Sequence, residues 1–341
     1  MTVRARCSSA IVLSVALFAA GCGSGSGSTV SPSSTTSSSS STGTSLAAEY
    51  RAAQWGSAAH VSFSGTCSMT LTSTGVPPYH SDYYLAPVST QYPNSVAVTP
   101  VSNTEMAVIP YSAANIQAAT VTFNVCPAKA ASTTTTNMGA IGYMISGEAI
   151  FNPYEGNGAA TPAMSDNVSY TFTAGGVAET ASFIDSCNSH PTPLTAGHDW
   201  HHHGIPSCLV SQIDGNSGPS HLIGIALDGF PIYGGRDING NTIAVSQLDA
   251  CNGITSPTPE FPSGVYHYVL PSGVTGSRSS LNCYAGSVSQ SQLAMASRYI
   301  CGLDALNRRL QVAARVRRLR IAAAPGRASL GSLEKALKPS S

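Results

Sequence analysis

Short β-prone runs recur along the middle of the chain. In "HVSFSG", "AATVTFNV" and "VSYTFTA" an apolar or aromatic residue falls at every second position, and "LIGIALDGFPIYG" adds a longer apolar run. A period of two is the signature of a strand with one face turned inward. Gly, Pro, Ser and Asn separate these runs, and no long stretch of the body repeats with the 3.6-residue helical period. The pattern predicts a mainly β fold, a single β-rich domain spanning residues 48–301.

The two ends of the chain read differently. Arg4 and Arg6 precede "AIVLSVALFAA", an apolar run too short to span a bilayer as a helix. It closes on "AAGC", which places Cys22 where a lipoprotein signal carries its lipidated cysteine. Residues 1–22 are therefore read as a lipoprotein-type signal, and residues 23–47, rich in Gly, Ser and Thr, as a flexible linker. Anchor, tether and folded body in that order predict an exported protein held at a membrane, periplasmic or on the cell surface. After Cys301 the composition turns abruptly to Ala, Arg and Leu. Residues 302–341 form a basic tail, readable as an amphipathic helix on an anionic membrane, as a solvated segment or as a shifted reading frame. No function is assigned to it.

The zero net charge conceals an asymmetry. Nine of the sixteen basic residues lie after Cys301, whereas residues 48–301 hold five basic residues against fourteen acidic ones. An acidic body attracts cations and disfavours nucleic acid as a partner. Seven cysteines follow Cys22, at 67, 126, 187, 208, 251, 283 and 301, with no Cys-x-x-Cys among them. In an exported protein that spacing predicts a disulfide-stapled domain with three bridges at most and one cysteine left over.

Two parts of the body echo each other. "IGYMISGEAIFNP" from Ile141 parallels "IGIALDGFPIYGG" from Ile223, and an Asp-x-Cys-Asn follows each, at Asp185 and at Asp249. An aromatic-histidine strip comes next in both, "WHHHGIPSC" from Trp200 and "YHYVLP" from Tyr266. This order predicts an internal duplication and suggests pairing Cys187 with Cys208 and Cys251 with Cys283. With these motifs the chain resembles the YHYH-domain proteins over roughly residues 75–286. Trp200 and His202 stand where that family has Tyr, and Val269 where it has a second His. The resemblance implies a shared fold and a histidine site, and no activity, since none is established for the family.

Four of the nine histidines fall within "HDWHHH", residues 198–203. On a strand His201 and His203 share one face, with Trp200 and His202 on the other. If the two strips pair or face each other, His267 joins His201 and His203, and three imidazoles with an open position suit copper or zinc. Asp185, His190, His198 and His221 are candidates for a fourth ligand or for orienting the rings. The competing reading is aromatic packing with the imidazoles bonded to backbone or carboxylates. His202 is read as packing, His60 as surface, His80 as a loop residue and Asp228 as a turn acid. "RDINGNT" is read as a type I′ turn at Asn239-Gly240 rather than a calcium loop.

No metalloprotease helix, phosphate loop or nucleophile elbow is present. Three functions follow: a cell-envelope lipoprotein that captures or buffers a metal ion, an enzyme using the same metal with Asp185 or Asp228 as acid or base, or a metal-free adhesion or scaffold module.

Overall fold

The computed structural model describes residues 43–87, 96–97, 106–114, 116–154, 162–165, 167–192 and 199–293. The predicted signal with Cys22, together with His198, Cys301 and the basic tail, lies outside the described residues. In chain order, helix α1 (Ala47–Ala52) precedes strands β1 (Ala59–Ser64), β2 (Ser68–Ser73), β3 (Tyr83–Pro87), β4 (Val96–Ala97), β5 (Met106–Pro110), β6 (Ala119–Asn124) and β7 (Lys129–Thr135). Then come β8 (Ala140–Met144), β9 (Ala149–Phe151), β10 (Ser169–Ala174), β11 (Val177–Ser182), β12 (Ser189–Pro191) and β13 (Trp200–His202). Helix α2 (Ser207–Ile213) leads to β14 (Leu222–Ala226), β15 (Pro231–Tyr233), β16 (Gly253–Ser256), β17 (Val265–Val269) and β18 (Cys283–Gly286).

The fold is mainly β, as the alternating runs predict. The strands form sheets ordered β1-β2-β6, β10-β11-β3-β5-β4, β12-β13-β9-β8-β14-β15-β17-β16 and β18-β7. The strands with a period of two cover the core from one side: on β6, Val121 and Phe123 are buried while Thr120, Thr122 and Asn124 are exposed. The eight-stranded sheet is built differently. Its central strands β8 and β14 are buried along their whole length, which their unbroken apolar sequences allow. These two strands also approach closely. A β-carbon on Gly142 would come within 2.6 Å of the Ile225 carbonyl oxygen, and one on Gly224 within 2.7 Å of the Tyr143 oxygen, so only glycine fits at either position.

The two echoing segments take matching places in this sheet. β8 and β9 form one hairpin and β14 and β15 another, joined by reciprocal bonds from Ile145 N to Ile223 O and from Leu227 N to Ile141 O. Outside each hairpin lies a parallel strand, β13 beside β9 and β17 beside β15. An antiparallel edge strand completes each half, β12 and β16. Both Asp-x-Cys-Asn loops are folded alike: Asp185 Oδ1 accepts from Cys187 N and Ser189 N, and Asp249 Oδ1 from Cys251 N and Gly253 N. Asn188 and Asn252 take left-handed φ values of 62° and 67°, which Asn tolerates better than most residues. This is a likeness of strand order and register; duplication of the unit is not thereby shown.

Disulfides join Cys67 to Cys126, Cys187 to Cys208 and Cys251 to Cys283. Among the described residues no helix is long and apolar enough to cross a membrane.

Two expectations are corrected. The packed body begins earlier than Ala48: Gly43 N donates to Cys126 O, Leu46 N donates to Val125 O, and Leu46 and Ala47 are buried. A Ser/Thr-rich composition does not prevent a segment from docking when its one large apolar residue finds the core. At Asn239-Gly240 only Gly240 has a positive φ, which excludes type I′. Asp237 Oδ1 instead accepts from Asn239 N and Asn241 N, and this side-chain bonding shapes the turn.

Candidate metal centre

The β12–β13 hairpin builds the site. His190 lies directly opposite His201 across the antiparallel pair, and opposed residues present their side chains on the same face. His203 follows two residues later and returns to that face. The three rings meet there. His201 Nε2 is 3.0 Å from His203 Nε2, which is 3.1 Å from His190 Nε2. One nitrogen from each ring lies within 4.8 Å of the other two. All three residues are buried, at 5%, 2% and 1% exposure for His190, His201 and His203.

The main chain decides which nitrogens face inward. His201 Nδ1 lies 2.9 Å from Asp199 O, and His203 Nδ1 lies 2.6 Å from Asn152 O. A carbonyl oxygen only accepts, so each Nδ1 carries the hydrogen and a neutral ring keeps its lone pair on Nε2. Two such lone pairs facing each other across 3.0 Å repel unless a proton or a cation stands between them. Imidazoles that ligate a metal have this arrangement, the outer nitrogen bonded to backbone and the inner one to the ion. Nitrogens bound at 2.0–2.1 Å to a tetrahedral zinc stand about 3.3 Å apart. Two of the separations in the trio are slightly shorter than that and the third lies within 4.8 Å, so the rings stand close to the spacing an ion requires.

Neighbouring side chains hold the rings in place. Phe151 stacks on His201 at 3.7 Å between centroids, and Phe183 meets His190 edge-on at 4.8 Å. Ser279 Oγ donates to His203 O and Ser280 Oγ to Phe151 O, which straps β9 and β13 to a distant segment of the chain.

The remaining candidates divide. Trp200 and His202 point to the opposite face, as alternation requires. Trp200 packs with Tyr84, Ala86 and Ile109. Burial pushes the His202 ring down to about 4, so it stays neutral, and it bonds Asn188 O. Asp185 spends its carboxylate on Ser81 N, Cys187 N, Ser189 N and the Ser189 hydroxyl. It shapes the loop into β12 and thereby places His190. Asp228 is a core acid: it accepts from the Tyr268 hydroxyl and from Gly286 N, and burial raises its carboxyl to about 6. The two acids that an enzyme would call on are thus engaged in holding the fold. His60 is exposed and His80 stacks on Tyr111.

His267 is not part of the trio. The two histidine strips neither pair nor face each other, because β13 is second and β17 seventh in the eight-stranded sheet. His267 occupies the counterpart of the His201 position, its Nδ1 on the carbonyl two residues earlier and its ring against Tyr233. Its opposite residue on β16 is Ile254, and Val269 stands two residues on, so the partners that would complete a second trio are aliphatic. His221 also lies elsewhere, paired with Glu260 at 2.9 Å. In place of His267 the structure supplies His190, which the sequence offers as a fourth ligand or as a residue orienting the rings. Its signal was the short "SHP" strand, which can turn back on "DWHHH" as a hairpin.

The same stretch carries a family likeness. The family model described as YHYH protein matches residues 120–242. The likeness read from the motifs is thus shown, over a shorter span than expected. The matched YHYH segment runs from β6 through β15 and contains all three imidazoles, while His267 lies beyond it. No curated protein and no solved structure matches the chain.

Proposed function

We propose that this protein captures and stores a transition metal ion, copper or zinc, through Nε2 of His190, His201 and His203. One observation carries the reading: the Nδ1 atoms of His201 and His203 are fixed on backbone carbonyls, which turns the Nε2 lone pairs inward upon one another. Imidazole nitrogen suits both ions. Three disulfides support a life outside the reducing cytoplasm. In this reading the chain is anchored by an acyl group on Cys22 at the cell envelope, and its partners are the membrane and the ion, not nucleic acid.

Elemental mass spectrometry of the untagged protein tests the site. After loading with copper or zinc and desalting, about one equivalent remains, and the folded triple variant His190→Ala/His201→Ala/His203→Ala retains none. If the wild type retains no ion, the trio is aromatic packing in a disulfide-stapled module.

A further inference from the structure

A second site lies apart from the trio. The ends of β8 and β14 meet both helices around a cleft of about 750 Å³. Its wall is apolar where Ala53, Ile145, Leu209 and Ile213 line it, and polar at Glu49, His221 and Glu260. No Lys or Arg is among the described lining residues, so the cleft repels anions and attracts cations.

The polar side is organised in advance. Glu260 Oε1 accepts from His221 Nδ1 at 2.9 Å and from Leu222 N at 3.4 Å, and its Oε2 accepts from the Tyr233 hydroxyl at 2.8 Å. Thr258 Oγ1 in turn donates to the Tyr233 oxygen at 3.0 Å. Burial, then the Glu260 charge and more weakly the Glu49 charge, push the Tyr233 hydroxyl far above its ordinary value, so it remains a donor.

One group in the wall lacks what this network has. Glu49 Oε2 is buried and has no hydrogen-bond partner. A desolvated carboxylate oxygen without a donor costs free energy. A ligand bearing several N–H donors relieves that cost, and an aliphatic body beside them covers the apolar wall.

We propose that this cleft binds a small primary alkylammonium ligand, its charged head on the Glu49 carboxylate and its chain over Ala53, Leu209 and Ile213. The site is independent of the metal centre.

The test is calorimetric titration of the full chain with hexylammonium chloride, beside hexanol and hexanoate. Hexylammonium binds at least tenfold more tightly than hexanol, and hexanoate does not bind. Glu49→Gln abolishes the preference for the ammonium while leaving metal stoichiometry unchanged and the melting temperature no lower than that of the wild type, which shows that the variant is folded. Glu49→Asp keeps part of the preference. Equal binding of hexylammonium and hexanol, no binding of either, or an undiminished preference in Glu49→Gln overturns the proposal.

Discussion

His190 and His203, thirteen residues apart in sequence, bring their Nε2 atoms to 3.1 Å. The β12–β13 register produces this contact, since it sets His190 against His201 and leaves His203 on the same face. The expectation that His267 completes the set and the finding that His190 does so lead to opposite experiments. His190→Ala lowers metal affinity at least about 100-fold, the scale of losing a ligand or more than one supporting bond. His267→Ala leaves affinity within about twofold. Competition titration with a chromophoric chelator reads both, and equal losses in the two variants would refute the assignment.

Much of this architecture was legible in the chain. Alternation in "AATVTFNV" and "VSYTFTA" reports half-buried strands directly, and the echo of "IGYMISGEAIFNP" in "IGIALDGFPIYGG" marks the two central hairpins. What could not be read was the order of strands across the wide sheet. His201 and His267 are alike in sequence context and in their backbone bonds, yet β9, β8, β14 and β15 lie between their strands. Local pattern fixes which face a residue takes, and long-range pairing fixes which neighbours it meets. Leu46 was hidden for a similar reason, being one apolar residue inside a polar tract that docks on Val125.

The Cys187–Cys208 bridge spans 21 residues and brackets all three imidazoles. Replacing both cysteines by serine loosens that segment. On the loop-entropy account the domain loses about 3 kcal/mol, and metal affinity falls with it because ordering the segment then draws on binding energy. Chemical denaturation and chelator competition on the same variant measure the two effects. A destabilised variant with wild-type affinity would show that the hairpin alone orders the rings.

Glu148 makes stability depend on pH. Burial pushes its carboxyl from 4.5 up to about 7, against the opposing bonds from the Ser146 hydroxyl and its own backbone N–H. The folded state holds this proton more tightly than the unfolded chain does. This group's contribution is therefore undiminished below pH 4.5, and stability declines as the pH rises from there to about 7. Glu148→Gln removes that decline. At about 1.4 kcal/mol per pH unit the variant is more stable than wild type near neutrality and above by up to about 3 kcal/mol. Urea unfolding at about pH 4.5 and about pH 8 gives the comparison, and a difference that does not grow with pH contradicts it.

The matched halves of the sheet allow a gain-of-site test. Ile254 and Val269 stand around His267 as His190 and His203 stand around His201. Tyr233 meets His267 edge-on at 4.9 Å, in the place where Phe151 stacks on His201 at 3.7 Å. Ile254→His/Val269→His therefore binds a second equivalent of zinc, at a stability cost of roughly 1–3 kcal/mol from the larger ring placed in a filled core. Native mass spectrometry counts the ions. A folded variant that stays at one equivalent would show that the register match does not extend to side-chain geometry.

Burial of the trio bears on how long an ion would stay. At 5%, 2% and 1% exposure the three rings are almost wholly covered, so release of a bound ion would wait on opening of the surrounding structure. Exchange then follows the rhythm of local unfolding, far slower than ligand diffusion. Such a site is suited to long residence, a reservoir that gives up its ion on the timescale of its own breathing rather than a carrier that trades ions at each encounter.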